Sequence, residues 1–145
     1  MEQRVTDVTL YRSALEYLRV INITYKSGEH FPQTAFGYIA SLTTELTLKA
    51  FLTNQGVSED SLRKIGHSLT KAWSDSAKLG LQVNQDAPQW CALLNTAYDR
   101  PYLARYAKTN TAIVSSPQHE VHEALNWLVS VVGEQLGLDL NGDLV

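Results

Sequence analysis

Glu45 and Lys49 stand four residues apart in Ser41-Leu-Thr-Thr-Glu-Leu-Thr-Leu-Lys-Ala-Phe-Leu52, a stretch otherwise made of apolar and small hydroxylated side chains. At helical period, a carboxylate and an ammonium at that spacing lie one turn apart on one side. Ala35, Tyr38, Ile39, Leu42, Leu46 and Ala50 share the side, so the pair interrupts an apolar stripe. Buried charge is expensive unless it is paired and hydrogen-bonded, which points to a partly buried polar site. The alternative is a lysine whose stem packs while its ammonium reaches water. His67, behind Gly66, puts at a helix start the ring most readily poised near neutral pH. Its alternative is a cap or a satisfied core histidine. Arg100, Tyr102, Arg105 and Tyr106 make a short basic-aromatic patch. Guanidinium forks grip carboxylates and phosphates, and tyrosines stack on bases. Equally, Arg105 could pair internally with Glu45 or a neighbouring acid.

Other constellations carry less. His119-Glu-Val-His-Glu123 has its histidines at i,i+3, whereas the metalloprotease helix needs i,i+4, so a solvated first turn is the better reading and no metal is expected. Asp139-Leu-Asn-Gly-Asp143 lacks the ligand set and closing glutamate of a calcium loop. Cys91 falls on an apolar helix as a small core residue. No glycine-rich phosphate loop and no nucleophile elbow is present, and no cofactor is expected.

These residues are positioned by helices. Gln33 to Gly56 is apolar on most sides, as a helix in the middle of a bundle must be. Phe36, Leu48 and Phe51 point away from the main stripe, and Gly56 suits the left-handed position after the last turn. Before it, Leu10 to Tyr25 carries the stripe Leu10, Ala14, Tyr17, Leu18, Ile21 and Tyr25. Its β-branched end predicts fraying. Gly28 and Pro32 mark the intervening loop. Ser58 caps a short helix that Gly66 ends, and His67 opens the next, with Leu69, Ala72, Trp73 and Ala77 on its apolar side. Gly80 to Asp86 is a loop, and Pro88 begins a helix carrying Trp90, Leu93, Leu94, Ala97 and Tyr98. Pro101 biases Arg100 away from helix, and 108–116 is a polar connector. Ser116 and Pro117 open a final helix to about Leu136, with Val121, Ala124, Leu125, Leu128, Val132 and Leu136 inward and a tail behind it. Nothing reads as a strand. The expected fold is an all-α bundle of four main helices plus one or two short ones.

At 145 residues the chain is expected to form a single domain, with its core over about 10–137 and a short C-terminal tail. A net charge of −3 leaves no global basic footprint, so any nucleic-acid contact must be local. One cysteine excludes an internal disulfide and fits a reducing cytosol. No apolar run is long enough to span a membrane, and Met1 to Thr9 lacks a signal peptide's apolar core, so a cytoplasmic location is expected.

Three elements together resemble HEPN (higher eukaryote and prokaryote nucleotide-binding) domains. Ser41 to Leu52 resembles the family's small-x-x-x-Glu-Leu-x-Leu-Lys-Ala helix. Leu62-Arg-Lys-Ile-Gly-His67-Ser-Leu69 looks like its Gly-His-Asp-Leu turn, with Ser68 where aspartate is usual. Tyr98 and Arg105-Tyr106 look like its Tyr…Arg-Tyr element. The resemblance implies an up-and-down bundle, often a homodimer, with Glu45, Lys49, His67, Arg105 and Tyr106 at one ligand-binding groove. It implies a nucleotide or RNA ligand, and a partner of the nucleotidyltransferase type in a defence, toxin–antitoxin or regulatory system. Many members are metal-independent ribonucleases that use an Arg-x(4–6)-His motif. Here Arg63 and His67 have three residues between them, and no other Arg–His pair has the right gap. The implied function is therefore binding without cutting. A ribonuclease with His67 as general acid/base and Arg105 on the phosphate is the alternative, and a purely structural interaction bundle is the third reading.

Overall fold

The computed structural model describes residues 5–100 and 115–145. Among these residues six helices follow in order: α1 (Thr9–Ser27), α2 (Gln33–Asn54), α3 (Glu59–Ile65), α4 (Leu69–Lys78), α5 (Gln89–Tyr98) and α6 (Gln118–Leu136). No strand occurs among the described residues; Leu138 and Leu144 make an isolated antiparallel bridge. The described part of the chain is all-α, and none of its helices is long and apolar enough to cross a membrane. Tyr102, Arg105, Tyr106 and most of the expected connector lie outside the described residues.

Helix α2 is the axis, packed against α1, α4, α5 and α6. Its deepest residues differ from the expected stripe. Phe36, Ala40, Thr43, Thr44, Thr47, Leu48 and Phe51 are buried; of the expected stripe Ala50 is buried too, with Glu45 beside it, while Tyr38, Ile39, Leu42 and Leu46 are only half-covered and Ala35 is exposed. The hydroxyls explain the difference. Thr43, Thr44 and Thr47 donate to the carbonyls of Ile39, Ala40 and Thr43 at 2.7–2.8 Å, and Ser41 donates to Gly37 O at 2.7 Å. With its donor satisfied inside its own helix, a threonine presents mainly methyl to its neighbours and packs as a small apolar residue.

In α1 the buried arc is Tyr11, Ala14, Leu15, Leu18 and Ile21, and Tyr17 is exposed. Packing on α2 and α6 together rotates the covered face toward Tyr11 and Leu15. The β-branched end does not shorten the helix, which runs to Ser27 and closes on left-handed Gly28. Ser58 caps α3 by accepting from Ser61 N, as its position predicts. At α6 the cap moves on by one residue. Pro117 O takes the first helical bonds, from Glu120 N and Val121 N, and Ser116 makes no cap bond. The segment after Leu136 is more than a tail. Asp139 Oδ1 accepts from Asn141 N and Asp143 N at 2.8 and 3.0 Å, and Arg12 clasps the turn through Gly142 O and Asp143.

One close approach sets the α1–α6 distance. Tyr11 Oη donates to Val129 O at 3.2 Å, with its ring over Gly133. A Cβ at position 133 would overlap the Tyr11 hydroxyl and stand 3.1 Å from its Cζ. Gly133→Ala should therefore lower unfolding stability by about 1–3 kcal/mol, despite alanine's better helix propensity. Adding Tyr11→Phe, which removes the nearest atom, should recover part of the loss. Urea melts in which the alanine variant matches wild type would contradict this packing.

Candidate functional site

The α3–α4 turn is the element that α2's two charges hold. Gly66 sits at φ 60°, ψ −130°, a backbone conformation open to glycine and strained for other residues. That geometry turns its carbonyl toward α2, where Lys49 Nζ donates to it at 2.7 Å. Lys49 also lies 3.5 Å from Glu45 Oε2, and the other carboxylate oxygen, Oε1, is 2.7 Å from His67 Nδ1. Carboxylate, ammonium, carbonyl and imidazole thus form one connected network. The side chains of Glu45 and Lys49 are 10% and 13% exposed, that of His67 38%, so the network runs from the interior to the surface through the ring. Lys49 does not snorkel to water: it is tied to the turn.

Neighbouring residues fix the rest of the frame. Ser68 takes the N-cap of α4 by accepting from Lys71 N at 3.2 Å, the task an aspartate would perform there. Leu69 N donates to Asn95 Oδ1 of α5 at 2.7 Å. The His67 ring meets Tyr98 edge-on at 5.3 Å, and Tyr98 meets Tyr38 at 5.8 Å. The sequence pattern places Tyr38 on the same side of α2 as the pair, and Asn95 is the member that it does not single out. Asn95, polar between Leu94 and Ala97, is the visible trace.

Chemically, Glu45 fixes the ring. Accepting from Nδ1–H, the carboxylate selects one tautomer and one orientation, and leaves Nε2 as the nitrogen it does not use. Such a ring serves as a general base when neutral and as a hydrogen-bond donor to an anion when protonated. Glu45, Lys49 and His67 are therefore brought together. Arg105 and Tyr106 lie outside the described residues. Arg63 is engaged elsewhere: its guanidinium faces Glu59 at 3.8 Å and Asp60 at 3.6 Å, and its side chain is exposed.

A second polar cluster, absent from the sequence reading, joins α1 to α6. Asn22 and Asn126 exchange amide hydrogen bonds at 3.1 and 3.0 Å, and His122 Nε2 meets Asn22 Oδ1 at 2.8 Å. The Tyr25 ring stacks on His122 at 4.1 Å. Burial holds His122 below the ordinary imidazole value, with the adjacent Glu123 pulling the other way. His119, by contrast, is exposed. No group of three His, Cys, Asp or Glu side chains suited to a metal occurs among the described residues. Burial pushes the Cys91 thiol up to about 12, so it stays protonated and inert.

Two outcomes are expected. Lys49→Met removes one partner from a largely buried pair and strips Gly66 O of its donor, which should cost about 2–4 kcal/mol. Adding Glu45→Leu should recover part of that loss in a thermal melt, and a double variant worse than Lys49→Met would contradict the pairing. For His122, the unfolded chain takes up a proton more readily than the folded one. Stability contributed by the neutral ring is therefore lost as pH falls through about 6.5 toward the lower folded value. The melting temperature of His122→Phe, which keeps the stack, should vary less with pH across that window than that of wild type. Parallel profiles would rule the effect out. Compared with protein-family models, curated proteins and solved structures, the chain matches none, so its likeness to HEPN domains rests on the motifs themselves.

Proposed function

We propose that this chain is a HEPN-like up-and-down helical module that binds a phosphate-bearing ligand, a nucleotide or RNA, without cutting it. The observation that carries the reading is His67, held by Glu45 at 2.7 Å on a turn that Lys49 clamps, with its ring part-exposed. Two residues of a buried helix and a glycine turn are devoted to the aim of one surface imidazole. In this reading His67 donates to a ligand phosphate, Glu45 and Lys49 position it, and Arg105 and Tyr106 add charge and stacking, as the resemblance implies. The spacing supports binding over cleavage, since Arg63, the arginine nearest His67 in sequence, is separated from it by three residues and not the four to six of the ribonuclease motif. The resemblance further implies a homodimer and a nucleotidyltransferase-type partner in a cytoplasmic defence or regulatory system.

One observation favours a second reading. A carboxylate-oriented histidine is also the arrangement of a general base, so a metal-independent ribonuclease with Arg105 on the phosphate is the alternative. Both readings are tested with one set of proteins. Labelled single-stranded RNA and ATP titrated at low salt should bind wild type, and His67→Ala should weaken binding about 10–100-fold, the value of one charge-assisted hydrogen bond. RNA incubated with wild type in EDTA should stay intact. Folded wild type that binds neither probe overturns the proposal. Cleavage lost in His67→Ala and in Arg105→Ala replaces it with the enzyme.

A further inference from the structure

Two surfaces that play no part in the site around His67 are complementary to each other. The first is a groove between α3 and α4, of about 420 Å³, floored by Leu52, Val57, Ile65 and Leu79 and rimmed by Lys64, Lys71 and Lys78. Lys71 is paired with Asp75 at 3.0 Å, whereas Lys64 and Lys78 are exposed and have no ion-pair partner among the described residues. Leu79, 46% exposed, leaves the apolar floor open at one end.

The second surface is the outward face of α6. At 100° per residue, Glu120, Glu123, Trp127 and Glu134 fall within about a sixth of the helix circumference. All four are exposed, Trp127 at 50%, and the three glutamates have no ion-pair partner among the described residues. An indole in the middle of a carboxylate stripe is an apolar anchor inside an acidic frame, the composition of an interface centre. A lysine-rimmed apolar groove is its counterpart in both charge and polarity.

We propose that these surfaces bind each other between two copies of the chain, with Trp127 of one copy on the apolar floor and Glu120, Glu123 and Glu134 facing the lysines of the other. The charge complementarity selects a second copy as the occupant, because one chain displays both halves, and among the described residues Lys64, Lys78 and the three glutamates have no ion-pair partner within it. A contact between unlike surfaces is made twice if a two-fold axis relates the copies; otherwise it propagates head to tail. It is independent of whether His67 binds phosphate.

Charge reversal tests it. Sedimentation of wild type at rising concentration should show reversible self-association that weakens as salt is raised. Lys64→Glu/Lys78→Glu and Glu123→Lys/Glu134→Lys, each checked for unchanged helical circular dichroism, should each raise the self-dissociation constant at least tenfold. An equimolar mixture of the two double variants should associate again, because one groove is now acidic and one stripe basic. Trp127→Ala should weaken association by a similar factor. Wild type that sediments as a monomer at all accessible concentrations overturns the proposal and leaves the groove to an acidic helix of another protein. Self-association that survives both reversals overturns it as well, by placing the contact elsewhere. Neither result touches the ligand-binding reading, which is scored on probe binding and RNA cleavage by wild type and the His67→Ala and Arg105→Ala variants.

Discussion

Helix α2 has to be nearly dry along its length, and the rest of the structure follows from that requirement. Twenty-two residues of helix cannot be hidden by one neighbour, so α1, α4, α5 and α6 all pack on it. A helix buried on many sides is ordinarily uniformly aliphatic. This one places Ser41, Thr43, Thr44 and Thr47 in the interior instead and closes each hydroxyl on a carbonyl one turn back. Side chains that small let neighbouring helices come close, while the self-contained hydrogen bonds remove the penalty of burying oxygen.

Against that background Glu45 and Lys49 are the exception, because they reach out of their own helix. Both are satisfied by the α3–α4 turn, Glu45 through the His67 ring and Lys49 through the Gly66 carbonyl. Each link needs the other. Without the glycine conformation the carbonyl would not face α2, and without the ammonium the carboxylate would have the His67 ring as its one remaining partner in this network. The polar network is thus closed at its inner end and reaches the surface at its outer end through the part-exposed His67 ring.

Much of this was legible in the sequence. Helix positions, the Ser58 cap, the Gly66 break and the anomaly of a Glu–Lys pair on an apolar helix all follow from local pattern, because caps and periodicity are properties of a few neighbouring residues. What was not legible depended on partners distant in the chain. That His67 meets Glu45 involves a separation of 22 residues, and the Asn22–Asn126 pair one of 104. Pattern also misjudged which side of α2 is deepest, since a threonine's polarity in the sequence says nothing of whether its hydroxyl is already used within the helix. Tyr17 failed for a related reason: it lies at the margin of a stripe whose centre was set by where α6 lands, which α1 alone does not encode.

The inward-closed hydroxyls of α2 bear on how the helix is held about its own axis. None of those four side chains hydrogen-bonds a neighbouring helix, so they do nothing to oppose axial rotation. Shape complementarity resists it weakly when the facing groups are all small methyls. Directional ties come from Glu45 and Lys49 to the α3–α4 turn, from Asn54, which exchanges bonds with the backbone N–H and C=O of Asp7, and from Gln33 at the other end, which accepts from Gln118 of α6 and donates to Ser115. The buried pair is therefore also the mid-helix pin that, with Asn54 and Gln33 near the two ends, sets the phase of the central helix.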